Sequence, residues 1–188
     1  MPLPFDAQIR DEASAAIDAS ALALRDARGL HAVLGRRAEI ELRDHFGARN
    51  DEPNKNGWPS QNFWNDIAKA TAFHDADENR ALVLISDPRF NQKFYGGKIT
   101  PKESKNLALP AIAAAYGESP LQHELHPVFR RIGGAPRAIA LADKGGTIWY
   151  WLVRSVTQEA DEDALPDEDH FVAALREEAQ EFVGGAAP

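Results

Sequence analysis

"RAIALADKGGTIWYWLVRSV", residues 137–156, reads as two apolar runs folded back on each other. The turn between them, Asp143 to Gly146, ends on paired glycines that reach positive φ without a Cβ clash. The second run is rich in β-branched and aromatic residues, the composition of a strand. Side chains alternate across a strand, so Trp149 and Trp151 share one face and Ile148, Tyr150 and Leu152 the other. A strand apolar on both faces needs cover on both, which places this hairpin in a sheet packed by other elements.

Outward from the hairpin, "ALVLIS" at 81–86, "NLALPA" at 106–111 and "PVFRRI" at 127–132 are further strand-sized pieces, the first suited to burial on both faces. Helical spacing dominates the ends. Ala13, Ala16, Ile17 and Leu24 predict a helix from Asp11 to about Arg25, with a shallow alanine-rich face that needs a partner. After Gly29, the residues Leu30, Leu34, Ala38, Leu42 and Phe46 recur at helical steps and predict a second helix. "GARNDEPNKNGWPS", residues 47–60, is a loop by composition, and Ser60 is placed to cap a third helix with Phe63, Trp64, Ile67, Ala68 and Thr71 on its apolar stripe. A closing helix starts at an Asp167 cap and turns Phe171, Val172, Leu175, Phe182 and Val183 inward. The order predicts an α+β fold with an antiparallel or mixed sheet packed by helices: residues 1–29 as a helical extension, 30–188 as a single domain.

Composition removes several function classes. With no cysteine there is no disulfide, thiol nucleophile or thiolate metal site. A net charge of −8 speaks against a general nucleic-acid coat but allows a protein that surrounds DNA without gripping it. No apolar run is long enough for a membrane span, and "MPLPFDAQIRDEAS" lacks the basic start and apolar core of a signal peptide, so the expectation is a soluble protein made in the cytoplasm with no membrane partner.

Motifs for chemistry are poor. His123 and His126 flank Glu124, but zinc-protease histidines sit four apart on a helix, and Pro120 and Pro127 bracket this segment. "EADEDALPDED", residues 159–169, lacks the glycine and final glutamate spacing of a calcium loop and reads as a solvated linker. A metal-dependent hydrolase or nuclease using His45, Asp66, His74, His123 or His126 is one alternative, although no pair has a specific ligand spacing; a cytoplasmic interaction module is another. No catalytic residue, cofactor or metal ligand is assigned.

"FYGGKITPKESKNLALP", residues 94–110, resembles a phosphate loop only superficially: the residue after the Gly-Gly-Lys is Ile99, and Pro101 and Pro110 forbid a long helix. It reads as a hairpin arm, 94–106, that projects from the domain to touch a neighbour. Gly96 and Gly97 set the bend, Pro101 blunts the tip, and Lys98, Lys102 and Lys105 give local positive charge beside Tyr95. Trp58 in the 47–60 loop is a second contact candidate.

These residues carry a resemblance. "YGGKITPKESKNLALP" after "VLISDPRFNQKF", the upstream "HFGARNDEPNKNGWPSQNFW" and the downstream "IWYWLVRSV", followed by an acidic, proline-bearing link and a final helix, are similar to the virion-morphogenesis and tail-completion proteins of Mu-like tailed phages and prophages. The resemblance runs from about Leu34 to Val183. It implies a non-enzymatic virion protein of the neck or upper tail, in a tail-completion, tail-terminator or head-tail joining role, assembled in the host bacterial cytoplasm. It further implies a homo-oligomeric ring, a hexamer when seated on a tail tube. Such a ring would lie between head connector and tail-tube proteins and let DNA pass without sequence specificity.

Overall fold

A computed structural model describes residues 13–54, 56–130 and 138–185. Asp11 and Glu12 of the expected first helix, the amino-terminal "MPLPFDAQIR", the end of the "PVFRRI" strand and Arg137 lie outside them. The chain is α+β: α1 (Ala13–Arg25), α2 (Ala27–Asp51), α3 (Phe63–Lys69), β1 (Thr71–Ala76), β2 (Ala81–Ile85), α4 (Pro88–Tyr95), β3 (Gly97–Ile99), β4 (Leu107–Pro110), β5 (His126–Arg130), β6 (Ala138–Ala142), β7 (Ile148–Val153), β8 (Val156–Gln158) and α5 (Glu168–Gly185). Strand pairing among the described residues is antiparallel throughout, in a β1-β2 ladder, a β3-β8 ladder and a four-stranded sheet of order β4-β7-β6-β5. No helix among them is long and apolar enough to cross a membrane. The described residues divide into two compact units, one of residues 13–44, 71–85 and 166–185, the other of 45–54, 56–70, 86–130 and 138–165.

The first unit joins helices to the β1-β2 hairpin. Gly35 of α2 lets the helix press close, because a Cβ there would meet the Phe73 ring at 2.5 Å. Glu39 accepts the Phe73 backbone N–H at 3.0 Å, and the Arg36 guanidinium lies over the Phe73 ring. A bulge between Phe73 and Asp75 interrupts the register with β2. The hairpin turn is closed by Asp77, whose Oδ1 accepts the N–H groups of Asn79 and Arg80. Leu84 is exposed, so β2 is not the doubly covered strand that its apolar run suggests: α2 packs on the face of Phe73 and Val83, and Leu84 lies on the other. Thr71 belongs to β1, not to the third helix. In α5, Asp167 Oδ1 accepts the His170 N–H at 3.0 Å, the expected cap. Phe171 and Leu175 are half-buried and Ala174 is buried, but Val172 is exposed.

The second unit is built on aromatics. Phe46, fully buried at the end of α2, stacks on Trp64 of α3 at 5.7 Å and meets the Phe90 ring of α4 edge-on. α2 runs to Asp51, into the stretch expected to be loop. The buried Asn50 explains why: its Oδ1 accepts from Ser60 Oγ at 3.1 Å and from the Asn65 N–H, so Ser60 is spent on α2. The N-cap of α3 is Asn62, in the left-handed region at φ 59. α4 has an Asp87 cap that accepts the Arg89 N–H, then Pro88 in its first turn.

The hairpin of 138–153 is present. β7 is one of the two inner strands of its sheet, flanked by β4 and β6. Asp143 Oδ1 accepts the Thr147 N–H and its Oδ2 accepts Trp149 Nε1–H at 3.2 Å, which holds the turn. Tyr150 is the buried residue of β7, and its hydroxyl lies 3.1 Å from the Ala115 carbonyl and 3.0 Å from that of Glu118. At the sheet margin the Ala111 N–H bonds to the Trp149 carbonyl, so the alternate position, Pro110, directs its amide-less nitrogen away from β7.

Candidate functional site

The 94–106 stretch does not close as a hairpin of its own. Its first limb, β3, pairs with β8 (Gly97 opposite Gln158, Ile99 opposite Val156), and the strand after it, β4, pairs with β7. Phe94 and Tyr95 end α4. The physical reason lies in the glycines: Gly96 at φ 67 and Gly97 at φ 124 turn the chain sharply out of the helix and straight into a ladder. A Cβ on Gly96 would meet the Ala160 nitrogen at 2.6 Å and the Gln158 carbonyl oxygen at 2.7 Å. Only a glycine lets α4 pass that close to β8.

What remains of the arm is a short basic loop, 100–106, closed by the Ser104 hydroxyl donating to the Asn106 carbonyl at 2.7 Å. Lys98, Lys102 and Lys105 are exposed and Pro101 is half-buried. Tyr95 is 74% exposed, with its ring edge-on to Phe94. Trp58 is half-buried 5.5 Å from Tyr116 of the same unit, and Asn54 Oδ1 accepts its N–H. These expected contact residues therefore divide: the lysines and Tyr95 are on the surface, while Gly96, Gly97 and Trp58 hold the unit's own shape.

Beside the basic loop lies a groove of about 660 Å³. Leu107 and Ala108 of β4, Leu141 of β6, Leu152 of β7 and Leu121 form its apolar floor and wall. Lys102 and Lys105 also line it, and no carboxylate does among the described residues. The short 3-10 turn Pro120–Gln122 carries Leu121, and a capping box of Ser119 and Gln122 fixes that turn. Leu121 is 95% exposed. The sequence signal for this groove is thin, a single leucine between a proline and polar residues.

A second cleft, of about 780 Å³, is lined by Arg49, Trp64, Arg89, Gln92, Lys93 and Asp161, among others. Its cations are already matched. Asp161 Oδ2 lies 3.1 Å from Arg49 Nη2 and 3.0 Å from Lys93 Nζ, and Arg89 pairs with Asp66 and Asp87. Burial pushes the Asp161 carboxyl up, but the Lys93 hydrogen bond and the charges of Lys93 and Arg49 outweigh it and hold the group below the usual carboxylate range. Arg49 and Lys93 also lie over the Trp64 ring. This arrangement is an internal clamp, its cations turned to the protein's own carboxylates.

The histidines and acids of the hydrolase alternative are scattered. His45 Nε2–H donates to the Asp163 carbonyl at 3.0 Å, Asp66 is paired with Arg89, and His74 belongs to β1 of the other unit. Among the described residues His123 Nε2 is buried without a hydrogen-bond partner, its ring 4.5 Å from Trp149, while His126 is exposed on β5. Among the described residues no group of three or more histidines and carboxylates is placed to hold a metal ion. Compared with models of known protein families, with curated proteins and with solved structures, the chain gives no significant match in any of the three.

Proposed function

We propose that this protein is a non-enzymatic structural subunit of the neck or upper tail of a tailed phage particle, acting in multiple copies between head connector and tail tube. The observation that carries the reading is the run from Tyr95 to Pro110, whose Gly-Gly bend, basic Ile-Thr-Pro-Lys segment and Leu-Ala-Leu-Pro strand resemble those of the virion-morphogenesis and tail-completion proteins. The surface it forms is suited to contact: three exposed lysines on a protein of net charge −8, beside an apolar groove. An acidic balance also suits a passage through which DNA slides, because carboxylates repel phosphates.

The test is deletion of the gene from the phage or prophage that encodes it, followed by electron microscopy and mass spectrometry of the purified particles. The expected result is separate heads and tails, or tails of uncontrolled length, with restoration by the gene in trans. Particles of normal form and infectivity from the deletion, or normal particles that lack this chain, would overturn the proposal.

A further inference from the structure

We infer that the groove between Lys102 and Leu121 on one subunit receives the acidic turn Glu162–Leu165 of a second copy, so that the protein associates head to tail. The inference deepens the reading above and rests on its premise that several copies act together.

The turn is prepared for such a role. Ala164 is buried, and its N–H bonds to the Asp161 carbonyl. The Asp163 carbonyl accepts from both His45 and Arg49, and the Asp161 carboxylate is clamped by Arg49 and Lys93. The backbone is thus fixed before any partner arrives, and little further ordering is needed on binding. Left outward are Glu162 and Asp163, exposed and without an ion pair among the described residues, and Leu165, 37% exposed. One leucine beside two carboxylates matches an apolar groove lined by two lysines, in kind as well as number.

The β3-β8 ladder explains why the turn belongs to another copy. The chain leaves β3 at the Ile99–Val156 end and enters the basic loop, whereas it leaves β8 at the Gly97–Gln158 end and enters the acidic turn. Groove and turn therefore depart from opposite ends of one small ladder. A contact between two different patches of identical subunits is heterologous, and repeated it yields a ring or a filament. DNA phosphate would satisfy the lysines but would leave Leu121 and the leucines of the floor in water.

The absence of cysteine gives a clean test. Leu121→Cys and Leu165→Cys are made singly in the full chain, mixed at high concentration and oxidised mildly, and the disulfide-linked species are identified by mass spectrometry. The expected product is the heterodimer that joins one variant to the other, several-fold in excess of either homodimer and suppressed by added salt. A statistical mixture of the three species would overturn the inference. A charge-exchange series guards against a local effect of the thiols. Lys102→Glu with Lys105→Glu, and separately Glu162→Lys with Asp163→Lys, should each abolish association in sedimentation velocity, with the circular dichroism unchanged. Combining all four should restore it. If the lysine pair alone matters, the groove has another partner and the inference is wrong; if the wild-type chain does not associate and the variants do not cross-link, it is also wrong. These outcomes do not depend on where the protein acts: self-association with no place in a particle would sink only the neck reading, and a particle protein with no such contact only this one.

Discussion

Arg49 and Asp161 form an ion pair 3.1 Å long with side chains only 18% and 13% exposed, and it ties the end of α2 to the turn after β8. Replacing Asp161 by Asn leaves Arg49 and Lys93 facing each other without their shared anion, at a cost of about 1–3 kcal/mol. The pH dependence has a definite sign. The folded pKa is depressed, so the stabilisation is fully present above the unfolded carboxylate value and is lost as pH falls through the folded one. Urea unfolding from neutral to acidic pH should show a decline below about pH 4 in the wild type that is smaller in Asp161→Asn. Parallel curves would mean that the clamp contributes nothing.

Tyr150 is the residue on which β7 depends. Its hydroxyl lies within hydrogen-bonding distance of the Ala115 and Glu118 carbonyls and its ring is almost fully buried. Tyr150→Phe should cost about 0.5–1.5 kcal/mol, and Tyr150→Ala about 3–5 kcal/mol. Trp149→Ala and Trp151→Ala, at half-buried positions, should each cost less than Tyr150→Ala in the same denaturant titration. The reverse order would show that the sheet buries its other face.

Two glycines should respond in opposite directions. Gly96→Ala drives a Cβ into the backbone of residues 158–160 at a positive φ, and should destabilise by more than about 1 kcal/mol. Gly47, inside α2 with nothing among the described residues within 4 Å of an added Cβ, should gain about 0.5–1 kcal/mol as Ala. Thermal melts of the pair decide it, and a neutral Gly96→Ala would refute the tight passage between α4 and β8.

The basic loop should tolerate single changes and fail under collective ones. Exposed charges contribute about 0–1 kcal/mol each, so Lys98→Glu, Lys102→Glu or Lys105→Glu alone should leave folding and assembly near normal. The triple reversal should keep its circular dichroism and, under the proposed neck function, leave heads and tails unjoined in a complementation assay. Infectious particles from the triple variant would contradict the contact role; an unfolded triple variant would place the stretch in the core.

Short-range chemistry is what the sequence announces. The 138–153 hairpin follows from its paired glycines and aromatic strand, and the start of α5 from Asp167. α4 escapes such a reading although Asp87 and Pro88 make an N-terminal signal, because the glycines that follow point toward a loop. Ser60 looks like a helix cap because it precedes an apolar stripe; that Asn50, ten residues earlier, claims its hydroxyl is a tertiary fact. The arm misleads for a similar reason. Its two limbs are adjacent in sequence, but their partners, β8 and β7, lie far along the chain, and nothing local names them.

Pro110 bears on a hazard that any protein crowded against its own copies faces. β4 is an outer strand of the four-stranded sheet, and an outer strand offers a template on which an identical chain can stack, the first step toward a fibril. At Pro110 the outward position has no hydrogen to donate, so an incoming strand would find a gap in the pairing. Copies meeting at this margin are steered toward contacts between side chains, which are reversible and can be corrected, and away from open-ended stacking.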